Sequence, residues 1–312
     1  MSTILVTGAA GFIGSHTSDQ LLRDGHRVVG VDNFRTGRRA NLTNAQTSAA
    51  FELIEADIAT EGVLAAITAR TRPDAIIHLA ALVSVQESRH DPALNFRLNV
   101  EATQQVAEAA RANAVPRVVF ASSAAIYGDD APLPIAEDAP KRPISPYGAA
   151  KLASEALLLG HAASFGFTVR CQRYFNVYGP RQDPASPYSG VISIFNRRFR
   201  AGEAAAVYGD GYQTRDFISV HDVAAANGRA ALESGLTSGV ANICTGRATS
   251  LRDVLAVFAG IFPSAPPPQF LPARAGDILH SLGSPAAAER ELGFVARTPL
   301  ADGLLELCHS AA

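Results

Sequence analysis

Tyr147 and Lys151 stand four residues apart in Tyr147-Gly-Ala-Ala-Lys151, the start of an alanine-rich run that reads as a helix to about Phe165. One helical turn separates them, so the two side chains share a face. A phenol with a pKa of about 10 is a poor base at neutral pH. A neighbouring ammonium ion favours the phenolate and lowers that value. Upstream, the apolar run Pro116-Arg-Val-Val-Phe-Ala-Ser-Ser123 ends in two hydroxyls. A Ser hydroxyl beside such a Tyr–Lys pair completes a three-point grip on a substrate carbinol, with Tyr147 as general base. By itself a Tyr-x-x-x-Lys is equally an exposed surface pair; the strand ending in Ser122-Ser123 makes the combination specific.

The element that must carry a partner for this chemistry lies at the N-terminus, in Thr3-Ile-Leu-Val-Thr-Gly-Ala-Ala-Gly-Phe-Ile-Gly-Ser-His16. A run of β-formers leads into Gly8, Gly11 and Gly14, and an apolar helical pattern begins at Phe12 and Ile13. This predicts a buried strand, a tight turn and a helix start. The unpaired N–H groups and positive dipole end of a helix N-terminus suit a pyrophosphate. Gly8 permits the turn, Gly11 removes a Cβ where phosphate approaches backbone, and Gly14 allows close helix–strand packing. The next apolar run, Val28 to Val31, ends at Asp32, where an acid holds a ribose 2′-hydroxyl and repels a 2′-phosphate. NAD is therefore favoured over NADP. Arg35, Arg38 and Arg39 follow closely and soften that choice, unless they are simply solvated.

Further strands are expected at Phe51–Asp57, Pro73–Ala81, Pro116–Ser123 and Thr168–Tyr174, with helices between them. Alternating strands and helices imply an α/β fold with a doubly wound parallel sheet. Asp57 and Ile58 are placed to flank an adenine; Asp57 serves equally as the N-cap of a helix over Glu61 to Thr71. Ala80 and Ala81 leave room for a ligand at a strand tip. Asn95 to Asn113 reads as one long helix, from which Asn99 reaches back to the cofactor loops. After residue 175 the pattern changes to proline-rich loops and short elements. Residues 1–175 are read as the dinucleotide-binding domain and 176–312 as mainly a smaller, discontinuous substrate lobe, with segments near 220–245 returning to the main domain.

The chain has 312 residues, and 47% of them are hydrophobic, enough for a substantial core. A formal net charge of −2 argues against a nucleic-acid partner driven by charge. No apolar run reaches membrane-spanning length, and the N-terminus enters a strand directly, so a cytoplasmic enzyme without a membrane partner is expected. The three cysteines, Cys171, Cys244 and Cys308, and the scattered histidines have no ligand spacing, so no metal site is expected.

Taken together, Gly8-x-x-Gly11-x-x-Gly14, Asp32-Asn33, Asp57-Ile58, His78-Leu-Ala-Ala81, Ser122-Ser-Ala-Ala-Ile-Tyr-Gly128, Tyr147-x-x-x-Lys151, Arg173-Tyr-Phe-Asn176, Gly209-Asp-Gly-x-x-x-Arg-Asp216 and Arg274-x-Gly-Asp277 resemble the extended short-chain dehydrogenases/reductases. Within that family the chain is most similar to the nucleotide-sugar 4-epimerases, over nearly its whole length. The resemblance implies a Rossmann fold, NAD as cofactor, a UDP-sugar substrate and a homodimer built as a four-helix bundle from Asn95–Asn113 and Pro146–Phe165. It places Ser123 and Tyr147 at the sugar O4 and Lys151 on the nicotinamide ribose. The cofactor site implied comprises Gly8, Gly11, Phe12, Ile13 and Gly14 from the first turn, then Asp32, Asn33, Asp57 and Ile58. Leu79, Ala80, Ala81, Asn99, Ser122 and Tyr174 complete it with Tyr147 and Lys151. On the substrate side Asn176 holds the diphosphate or sugar, and Arg215 and Arg274 neutralise the diphosphate. Tyr208 stacks near the uracil, or is an ordinary edge aromatic. Ser281, helped by Ser84, lines the pocket beside the sugar C2 substituent and leaves room for an N-acetyl group, unless Ser281 merely ends a loop.

Related dehydratases and decarboxylases carry an acid just after the catalytic Ser or Thr; here Ala124 and Ala125 stand there. This favours return of the hydride, and so 4-epimerisation of UDP-glucose/UDP-galactose and of their N-acetyl counterparts. The competing expectations are a keto-sugar reductase, a UDP-glucuronate 4-epimerase and a non-catalytic dinucleotide sensor. Asp32 speaks against the reductase, which would draw on NADPH, and retention of both Tyr147 and Lys151 speaks against the sensor.

Overall fold

The computed structural model describes residues 1–183, 190–273 and 278–310. Its centre is a sheet of seven strands: β1 (Thr3–Thr7), β2 (Arg27–Asp32), β3 (Phe51–Glu55), β4 (Ala75–His78), β5 (Arg117–Ser123), β6 (Thr168–Tyr174) and β7 (Gly239–Ile243). They lie in the order β7-β6-β5-β4-β1-β2-β3, every neighbouring pair parallel. The helices are α1 (Phe12–Arg23), α2 (Val63–Thr71), α3 (Val85–His90), α4 (Pro92–Phe96), α5 (Ala102–Ala112), α6 (Pro146–Phe165), α7 (Val191–Arg200), α8 (Val220–Leu232), α9 (Leu251–Ile261), α10 (Ala286–Leu292) and α11 (Leu300–His309).

The apolar strands are buried on both faces, as a parallel sheet under two helix layers requires. Ile4 and Val6 point to a core shared with Leu21, Val223, Ala226 and Ala288, from α1, α8 and α10. Leu5, between them, points to the opposite core with Leu64, Val106 and Leu158, from α2, α5 and α6. A separate core joins α7, α9 and α11: Phe199 stacks on Phe258 with centroids 5.2 Å apart, beside Phe195, Leu304 and Leu307. The chain runs outward from β1 to β3 and then resumes at β4 on the other side of β1. The crevice beyond the carboxyl ends of β1 and β4 is thus the switch point at which such sheets bind ligands.

Three local expectations are corrected. The region read as one helix from Asn95 to Asn113 is broken: α4 passes into a π-helical turn, Arg97–Glu101, before α5 begins. Asp57 does not cap α2, which starts behind Gly62; its carboxylate instead accepts from the Ala59 N–H at 3.0 Å within a local turn. The strands read at Phe51–Asp57 and Pro73–Ala81 stop at Glu55 and His78, so the following residues form loops over the crevice.

Candidate active site

A cleft of about 1380 Å³ runs from the glycine turn across the sheet's carboxyl edge to the segment around Ser281. At its floor the Gly8 N–H donates to the Val31 carbonyl at 2.8 Å, and Gly8 has φ +71. A Cβ on Gly8 would lie 2.7 Å from the Ala80 amide nitrogen, and one on Gly14 only 2.0 Å from the Gly8 carbonyl oxygen. Packing within the protein therefore requires both glycines. Gly11 is different: its backbone is extended (φ −74, ψ 174), and a Cβ there would meet only the Gly8 oxygen, at 3.1 Å. The space left by its missing side chain opens into the cleft. Gly11 is the N-cap of α1 and supplies no side chain to the first N–H groups, so the helix presents bare donors at that opening. This cradle fits a dinucleotide pyrophosphate, with Phe12, Ile13 and Gly14 beside it.

At the tip of β2, Asp32 is buried and accepts from the Ala10 N–H at 2.9 Å and the Phe34 N–H at 2.8 Å. Burial raises its carboxyl above the ordinary value, and the two N–H donors oppose that. Asn33, Asp57, Ile58, Leu79, Ala80 and Ala81 line the same end of the cleft. Asn99 does not line it. Its amide is buried and clamps the loop after β4, accepting from Leu82 N–H at 3.1 Å and donating to Leu82 O at 3.0 Å. The loop is reached, as the sequence suggested, but by a residue that shapes the site from behind.

At the middle of the cleft, β5 delivers Ser122 and Ser123 and the first turns of α6 deliver Tyr147 and Lys151. Ser145 caps α6, its hydroxyl accepting from the Gly148 N–H at 3.1 Å, and Pro146 occupies the first turn, so the helix start is fixed. The Tyr147 phenol and the Ser123 side chain face each other across the cleft, and Ser123 favours the ionised phenol. Lys151 is buried; its Nζ donates to the Ala121 carbonyl at 2.8 Å and lies 4.8 Å from the Phe120 ring centre. Burial holds the Tyr147 phenol above its ordinary pKa, and the Ser123 side chain opposes this. Burial also lowers the Lys151 ammonium to about 7, with Glu155 pulling the other way.

Sequence reading gave no role to the polar network behind these groups. Glu155, one turn after Lys151, accepts from the Ser122 hydroxyl and from Arg173 through Nε at 2.9 Å and Nη2 at 2.8 Å. Both members of this ion pair are 3% exposed. Arg173 also donates to the Tyr127 hydroxyl at 2.8 Å and the Glu137 carbonyl at 2.9 Å. Such a pair is sustained only because its remaining donors and acceptors are filled, and it ties β5, β6 and α6 together directly beneath Ser123 and Lys151.

On the substrate side Asn176, Arg215 and Ser281 line the cleft, together with Tyr174. The segment carrying Ser281 is stitched on both sides. Its N–H donates to the Thr214 carbonyl at 3.1 Å, and Leu282 O accepts from Ile135 N–H at 2.8 Å. Asp216, fully buried, accepts from Thr245 N–H, Thr245 hydroxyl, Gly246 N–H and Gly283 N–H, which fixes this wall relative to Arg215. Ser84 reaches the cleft but its hydroxyl caps α3, accepting from Glu87 N–H at 2.9 Å. Tyr208 sits in a short strand paired with Gln269–Leu271, outside the residues that line the cleft, and its carbonyl accepts from the Gln213 side-chain amide at 2.7 Å, two positions before Arg215. Arg274 lies outside the described residues.

Arg181 was missed. It lines the cleft with φ +66, pairs with Asp19 of α1 at 2.6 Å, and keeps a buried Nη1 without a hydrogen-bond partner. Its neighbour Pro180 accepts at 3.0 Å from the His16 ring of α1. A left-handed non-glycine residue next to an orphaned donor is a sign of a binding surface, but it leaves no periodic pattern in a sequence.

The sequence pattern of the NAD dependent epimerase/dehydratase family matches residues 4–244. The UDP-glucose 4-epimerase of Mycolicibacterium smegmatis is 40% identical over 301 residues, covering 96% of this chain and 95% of its own. The solved UDP-glucose 4-epimerase of Thermus thermophilus in complex with NAD is 35% identical, with a TM-score of 0.86 over 98% of this chain and 97% of that one. The UDP-N-acetylglucosamine 4-epimerase of Methanobrevibacter ruminantium M1, solved with UDP-N-acetylmuramic acid, is 34% identical with a TM-score of 0.93 over the same shares. Among the described residues no helix is long and apolar enough to cross a membrane, and no cluster of metal-ligating side chains occurs.

Proposed function

The chain belongs to the NAD dependent epimerase/dehydratase family, and from that premise we infer that it is an NAD-dependent 4-epimerase of UDP-hexoses. The observation that carries the reading is Ser123 and Tyr147 beside buried Lys151, in one cleft with a glycine cradle shaped for a pyrophosphate. A bound NAD would supply reversible hydride transfer at the sugar C4. Gly11, the start of α1 and Asp32 hold it. Tyr147 removes the O4 proton and later gives it back, and Ser123 fixes the oxygen on which this occurs. Lys151 favours the phenolate and, with its ammonium toward the ribose, orients the cofactor. Asn176, Arg215 and Arg274 bind the diphosphate and sugar. Ala124 and Ala125 line the cleft after Ser123 and offer no acid for proton transfer at C5, which leaves hydride return as the onward path. Purified protein given UDP-glucose, with no added reductant, is expected to yield UDP-galactose by NMR; stoichiometric consumption of NADPH would overturn the reading.

Ser281 sets the breadth of the substrate pocket. A small residue in the stitched wall leaves space for an N-acetyl group, and UDP-N-acetylglucosamine is expected to be epimerised alongside UDP-glucose. Ser281→Tyr is expected to lower kcat/KM for the N-acetyl pair by about tenfold or more and to spare the plain hexoses, since a clash penalises only the larger substrate. Equal losses on both pairs would refute this assignment.

The working unit is a homodimer. Two helical segments, α4–α5 and α6, pack together on one side of the sheet, and Phe96 and Phe165 are each 53% exposed there. Two copies of this pair make a four-helix bundle that covers such residues. Light scattering at micromolar concentration is expected to give twice the chain mass, and a monomer would count against the arrangement.

A further inference from the structure

Arg35, Arg38 and Arg39 follow Asp32 closely, and Arg35 and Arg38 line the cofactor end of the cleft. Guanidinium groups in this position are the natural readers of a ribose 2′-phosphate. Each of the three is taken by a carboxylate from another part of the fold. Arg35 pairs with Glu87 of α3, Arg38 pairs with Asp183 at 2.5 Å, and Arg39 pairs with Glu55. Arg39 also sits over Phe34, its guanidinium carbon 4.1 Å from the ring centre. Glu55 is the register partner of Asp32 across β2 and β3, so two acids stand side by side at the strand tips. Four carboxylates thus surround three guanidinium groups.

We propose that Glu87, Asp183 and Glu55 are specificity residues for the cofactor: by occupying Arg35, Arg38 and Arg39 they withhold the guanidinium groups that would otherwise accept a 2′-phosphate. This rests on the reading of the cleft as an NAD site. Asp32 alone repels a dianion at one point, whereas the pairing removes the compensating attraction around it. A 2′-phosphate must displace a carboxylate from its guanidinium before it gains anything, and a dinucleotide without that phosphate has no such requirement.

The test reads bound nucleotide rather than turnover. Each protein is incubated with equimolar NADH and NADPH, free nucleotide is removed by gel filtration, and the retained nucleotides are released and quantified by chromatography. Asp32→Ser provides the background in which the phosphate is no longer repelled at β2. Adding Glu87→Gln or Asp183→Asn is expected to raise the retained NADPH:NADH ratio by about two- to fivefold for each, the scale of an exposed ion pair. Adding Arg35→Ala to Asp32→Ser/Glu87→Gln is expected to cancel that gain. Asp32→Ser/Glu108→Gln, which breaks an exposed pair with Arg111 on α5, serves as a control for loss of negative charge and is expected to match Asp32→Ser. A ratio unmoved by Glu87→Gln and Asp183→Asn, or moved equally by Glu108→Gln, overturns the proposal while leaving the NAD site intact. Failure of the unmodified protein to retain either nucleotide would overturn the cofactor site itself.

Discussion

Tyr147→Phe is expected to lower kcat by about 10²–10⁴-fold, the usual weight of general acid–base catalysis, with little change in affinity for UDP-sugar. The substitution removes one hydroxyl and almost no contact area, so binding and orientation survive while the proton acceptor is lost. The pH profile separates this from a structural effect. Burial holds the phenol above its ordinary value and lowers Lys151 to about 7, so the chain alone favours the uncharged forms of both. Activity of the unmodified enzyme is therefore expected to rise with pH as the Tyr147–Lys151 pair loses one proton, with the phenolate–ammonium form the competent one, and that rise is expected to vanish in Tyr147→Phe. Lys151→Ala removes the cation that favours the phenolate and is expected to move the same limb to higher pH. Near-normal turnover in Tyr147→Phe would remove Tyr147 from the reaction.

Part of this site was legible before any coordinates, for definite physical reasons. The glycine turn, the acid at the end of β2 and the Tyr–Lys pair are local: each arises from spacing within one element, and α6 and β6 run over the ranges their patterns predict. The π-helical turn at Arg97–Glu101 was not legible, because one wider turn inside an otherwise helical pattern barely disturbs its period. Asn99 sits in that turn, and its amide meets the Leu82 backbone rather than the cleft. The Glu155–Arg173 pair joins a helix to a strand eighteen positions away, and the Arg38–Asp183 pair spans 145 positions. No periodicity records such partners. The arginines after Asp32 looked ambiguous for the same reason: their meaning lies in the acids that reach them.

The two glycines that look alike in the sequence are expected to fail differently when each receives a methyl group. In Gly14→Ala the new Cβ would stand 2.0 Å from the Gly8 carbonyl oxygen and 2.8 Å from its carbon, both backbone atoms of the turn that β1 and β2 hold in place. Neither side can yield without breaking the bond from Gly8 N–H to Val31, so a loss of about 4 kcal/mol or more is expected, in the class of severe core disruption. The protein should be recovered unfolded or with a collapsed melting temperature. In Gly11→Ala the backbone conformation suits any residue and the methyl meets only one oxygen at 3.1 Å. The fold and its melting temperature without cofactor should be nearly unchanged. The methyl instead projects into the space at the start of α1 assigned to the pyrophosphate, and an added carbon in a filled site costs about 1–3 kcal/mol. Affinity for NAD should therefore fall by about ten- to hundredfold, and NAD that co-purifies with the unmodified protein should be lost on gel filtration. If Gly14→Ala melts normally, the packing argument is wrong; if Gly11→Ala keeps its NAD, the pyrophosphate does not lie where α1 begins. The contrast tests whether Gly14 serves the fold while Gly11 serves the ligand.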